Sequence, residues 1–62
     1  MKAKEIKSGD TFKVKGIKKV AQTIIKETDT HISEHTREAV IGKVLITYDN
    51  CKKVILPLNE EL

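Results

Sequence analysis

His31 and His35 lie four residues apart, and Cys51 stands two residues after Asp49; of all the side chains here, these are the best suited to hold a metal ion or attack an electrophile. A structural zinc site normally takes four closely spaced Cys or His ligands, and the chain has no CxxC knuckle to supply them. The two histidines therefore read as solvated loop residues, with no metal bound. Cys51 with either histidine would make a nucleophile and a base, but no third group to orient the base and no oxyanion donor can be identified. Gly9-Asp10-Thr11 is a turn and not a phosphate loop, because neither GxxxxGK[ST] nor GxGxxG occurs. The residues point to a protein that is not an enzyme and needs no cofactor.

Lysine is the other chemically active residue type, and it is unevenly placed. Residues 1–26 hold eight lysines against Glu5 and Asp10, a balance of +6, whereas residues 27–62 balance at −3. Such polarity draws a small protein toward polyanions, since each lysine that reaches a phosphate releases a counterion. Lys13 and Lys15 fall on one side of an alternating stretch, with Lys4, Lys7, Lys18 and Lys19 flanking it, so these six are the candidate nucleic-acid-binding residues. Lysines also blunt exposed strand edges against aggregation, which is the competing account of the same charges. Arginine, the usual bidentate base reader, occurs once, at Arg37, and the only aromatics, Phe12 and Tyr48, are both assigned to the core. Any nucleic-acid binding is then expected to be weak and sequence-tolerant.

Sixty-two residues make one domain, residues 1–62, because a chain this short cannot bury two cores. With no Trp, the interior must come mainly from Ile, Val and Leu. One cysteine cannot form an internal disulfide. No stretch approaches the roughly 20 apolar residues of a membrane span, and the lysine-rich start has no apolar run behind it. Cytoplasmic residence away from membranes is the expectation.

The element that must organise the rest is a C-terminal apolar hairpin, Val44–Tyr48 and Val54–Leu58. A three-residue loop, Asp49-Asn50-Cys51, sets Tyr48 opposite Lys52, Ile46 opposite Val54 and Val44 opposite Leu56, collecting the apolar side chains on one face. A two-residue loop would put Lys53 opposite Ile46. In such a loop the last residue takes the left-handed region, so Cys51 is expected there and Cys51→Gly is expected to raise the melting temperature. Pro57 lacks an N–H and belongs at a strand end or facing solvent.

Earlier in the chain, Thr11–Lys15 alternates and ends at Gly16. Ile17 to Thr28 fits two templates. Ile17, Val20, Ala21, Ile24 and Ile25 form a helical stripe, but the β-branched content and the missing cap favour a strand. Residues 26–30 read as a turn. A weak strand is expected over Thr30–Thr36, with a short helix over Glu34–Ile41 as the alternative. Gly42 reads as a bulge, and Asn59–Leu62 as one helical turn.

Glu5-Ile-Lys-Ser-Gly-Asp-Thr-Phe12, with Tyr48-Asp-Asn-Cys-Lys-Lys-Val54 and the closing Ile-Leu-Pro-Leu58, resembles small SH3-like β-barrels of the KOW, translation-factor and phage or mobile-element kinds. The resemblance implies an all-β, five-stranded SH3-like barrel and transfers no binding residues. The alternative is an α+β fold with a helix over residues 17–28 on an antiparallel sheet. The expected function is a non-enzymatic binding module for nucleic acid through the basic N-terminal face. Its rival is a protein-interaction module using a strand edge or the second apolar face of the hairpin, carrying Leu45 and Ile55, in a monomer or weak homodimer.

Overall fold

Lys15-Gly16 reverses the chain in two residues, both at positive φ (52° and 81°), as a tight hairpin turn compatible with strand twist requires. In the computed structural model, which describes residues 1–62, this turn joins strand β1 (Thr11–Val14) to β2 (Ile17–Val20). The two pair antiparallel, with Thr11 opposite Val20, Phe12 opposite Lys19, Lys13 opposite Lys18 and Val14 opposite Ile17. Lys15 occupies a left-handed conformation that costs a side chain with a Cβ about 1–2 kcal/mol, a penalty asparagine largely escapes. Lys15→Asn is expected to raise the melting temperature by about 4–8 °C. A thermal melt with no rise would mean that the turn carries no such strain.

The remaining strands, β3 (Thr23–Lys26), β4 (Lys43–Tyr48) and β5 (Lys52–Pro57), form a second antiparallel sheet with β4 in the centre. The β4–β5 register is the one the apolar pattern requires, Ile46 opposite Val54 and Val44 opposite Leu56. The loop conformation differs from expectation. Positive φ falls on Asp49 (48°) and Asn50 (67°), not on Cys51, so the reason for expecting Cys51→Gly to stabilise disappears. Asp and Asn are the side chains that best tolerate that region, and both are tied down. Asp49 pairs with Lys19 at 2.7 Å, and Asn50 exchanges hydrogen bonds with the Gln22 amide. Pro57 ends an edge strand, where its missing donor breaks no central ladder.

Residues 17–28 form no helix. They make β2 and β3, separated by a break at Ala21-Gln22 where the chain leaves one sheet for the other. Ala21 bonds back to the first hairpin, accepting from Gly9 N–H and donating to Asp10 C=O, while Gln22 N–H donates to Thr47 C=O in the second sheet. Ile17 and Val20, which a helical stripe would bury, are 60% and 53% exposed.

The expected strand at Thr30–Thr36 is also replaced. Glu34–Ala39 forms a short helix, α1, capped by Ser33, whose Oγ accepts the Thr36 N–H at 3.2 Å. Gly42, at φ 68°, lies in the turn between α1 and β4 and is not a bulge inside a strand. The expected terminal helical turn is absent. Residues 58–62 run instead beside a 3-10 helix, Ala3–Glu5, through a Lys2–Glu61 bridge and bonds from Ala3 N–H to Glu60 C=O and Lys4 N–H to Leu58 C=O.

The core lies between these parts. Ala3, Ile6, Phe12, Ala21, Val44 and Ile46 are buried together, with Val14, Ile24, Tyr48, Val54, Leu56 and Leu62 packed around them. Phe12 meets Tyr48 edge to face, ring centres 5.7 Å apart, and so ties the first hairpin to the second sheet. The fold is mainly β, with five strands in two antiparallel sheets and one short helix.

Candidate nucleic-acid interface

Period-two alternation divides the first hairpin into two faces. Phe12 points to the core, so Thr11 and Lys13 point outward, and their partners Val20 and Lys18 share that outer face. Lys13 and Lys18 are therefore cross-strand neighbours of like charge, an arrangement that opposes pairing. No carboxylate lies within 4 Å of either ammonium.

The hairpin's hydrogen bonds also fix which backbone groups are free. Ala21 N–H donates to Asp10 C=O at 2.8 Å, so the positions of the first arm bonded toward β2 are Asp10, Phe12 and Val14. The N–H and C=O groups of Thr11 and Lys13 then point away from β2, along an edge to which no other backbone segment hydrogen-bonds. Beside this edge lies an open depression of about 280 Å³, lined by Thr11, Phe12, Lys13, Lys18 and Leu62. Leu62 is held there by its N–H bond to Met1 C=O at 2.8 Å.

Comparison with protein-family models, with curated proteins and with solved structures returned no match.

The six candidate lysines do not form one patch. Lys13 and Lys18 are side by side at the depression. Lys15 sits in the hairpin turn rather than on the strand face with Lys13, because Lys15-Gly16 is the reversal. Lys19 lies on the opposite face of β2 from Lys18, where Asp49 neutralises it and also stands 3.9 Å from Lys52. Lys4 and Lys7 are exposed on either side of buried Ile6, and neither lines the depression. Lys26 is occupied, its Nζ donating to Lys4 C=O at 2.7 Å.

Thr11 and Leu62 were not among the residues singled out by sequence. The signal that would have found Thr11 is the Lys-Gly dipeptide itself. Read as a two-residue turn, it sets Lys13 opposite Lys18 and Thr11 opposite Val20. Leu62 carries no local signal, because its position depends on the terminal segments meeting.

His31 lies in the loop before α1 and His35 on the helix, both exposed, and no three His, Cys, Asp or Glu side chains converge. Cys51 is exposed. On the outer face of the second sheet, Ile25, Leu45 and Ile55 form one row across the three strands, with Ile55 45% exposed. No helix is long and apolar enough to cross a membrane.

Proposed function

We propose that this chain is a non-enzymatic binding module, built on an SH3-like barrel plan, that holds nucleic acid through the outer face of its first hairpin. Two features support the barrel plan. The chain passes from β2 to β3 with a single break, so one bent ribbon serves both sheets, and the first and last segments pair beside β5. The observation that carries the binding reading is the Lys13–Lys18 pair. Two lysines directly opposite each other on paired strands, neither with a carboxylate within 4 Å, cost the free protein stability, and a phosphate backbone removes that cost. Lys15 at the turn extends the same field.

Binding should be a backbone interaction, strongest at low salt and tolerant of sequence. Fluorescence anisotropy with a labelled RNA and a labelled duplex, across a series of salt concentrations, tests this. Lys13→Glu/Lys18→Glu is expected to weaken binding at low salt and to flatten the plot of log K against log salt by about 2 units, one for each lost phosphate contact. An unchanged slope in the double variant, or a wild-type chain that binds neither probe, would overturn the reading.

A further inference from the structure

We infer, resting on the nucleic-acid reading above, that the depression beside the edge of β1 seats one sugar-phosphate unit of the bound strand and that the bases make no stacking contact. The residues around it carry donors suited to a phosphate, the Lys13 and Lys18 ammoniums and the Thr11 hydroxyl, and the adjoining edge presents the N–H groups of Thr11 and Lys13 beside their C=O groups. Side-chain hydroxyls, lysines and free backbone N–H groups are the usual partners of phosphate oxygens. Leu62 adds an apolar wall against which a sugar ring can lie.

Size and aromatic placement narrow the ligand further. At about 280 Å³ the open depression is just below the size of small-ligand sites, which run from about 300 Å³ upward, a size that suits a single backbone unit. Proteins that read single strands by stacking present open aromatic faces. Phe12 is only 3% exposed, and the half-buried Tyr48 packs edge to face with it and does not line the depression, so no open ring face is presented there to take a base.

The test is an amide chemical-shift titration of the full-length 15N-labelled chain with two oligodeoxynucleotides of equal length, one ordinary and one fully abasic. The two are expected to bind with affinities within about twofold, since they share the charges that drive association. The largest shifts should fall on Thr11, Lys13, Lys18 and Leu62, and Thr11→Val should reduce both affinities alike. If the abasic strand binds about tenfold or more weakly, bases are stacking and the inference fails. It fails too if the shifts centre on Lys4 and Lys7, or if poly-glutamate gives the same shifts at the same concentrations. Centring on Lys4 and Lys7 with a steep salt dependence would leave nucleic-acid binding standing and remove only this seat.

Discussion

Phe12→Ala is expected to leave the protein largely unfolded at room temperature. Removing a buried Phe costs about 3–5 kcal/mol, while a chain of 62 residues has about 3–9 kcal/mol in total. The cost should fall in the upper part of its range because Phe12 joins two bodies. The β1–β2 hairpin shares no strand ladder with β3–β4–β5, and an isolated two-stranded hairpin is marginal in water. What fastens it is the Phe12 ring against Tyr48, the Lys19–Asp49 ion pair, the Gln22–Asn50 amide pair and the Ser8 hydroxyl on Gln22 C=O. The last three are exposed, and contacts of that kind contribute little singly. Urea titration followed by far-UV circular dichroism reads the effect, with Phe12→Leu, which keeps most of the apolar bulk but loses the ring contact with Tyr48, as the milder comparison. An alanine variant with a midpoint near wild type would mean that the hairpin is held some other way.

The same division into two sheets explains which parts of the fold sequence could reveal. The β4–β5 register was legible because both arms alternate and only one loop length keeps Lys53 off the apolar face. The break at Ala21-Gln22 was not, since its cause is distant in sequence: Gly9 and Asp10 both bond Ala21, and Thr47 accepts from Gln22. An apolar pattern that changes sheets midway mimics a helical stripe. At α1 a strand ending near Thr36 was preferred and a helix over Glu34–Ile41 kept as the alternative, because the six helical residues carry no apolar stripe, and the informative residue was the Ser33 cap. The candidate site was half legible. Charge polarity pointed to the N-terminal half, which holds the Lys13–Lys18 pair, but grouping lysines by sequence distance put Lys19 with Lys18, although adjacent strand residues face opposite ways.

Ile6→Ala should open the molecule from its ends. Ile6 is 1% exposed and is the only large apolar side chain among residues 2–10. It follows the 3-10 helix directly, its N–H donating to Ala3 C=O, and so fixes the segment whose backbone meets residues 58–62. Truncating a buried Ile costs about 2–5 kcal/mol, against about 0.5–1.5 kcal/mol for Ile6→Val. Part of that loss should appear locally, because a segment held by few bonds opens before the sheet does. Hydrogen exchange should then show Ala3, Lys4 and Leu62 amides losing protection in Ile6→Ala while Leu45 and Ile46 at the centre of β4 keep theirs. Equal loss across all these amides would show that the terminal segments and the sheet open as one unit. If the ends do open alone, Leu62 leaves the depression beside Lys13 and Lys18, and the charged half of the site survives without its apolar wall. If the proposed nucleic-acid seat holds, affinity should then fall with the salt slope unchanged, because the phosphate contacts would remain while the sugar contact would be gone.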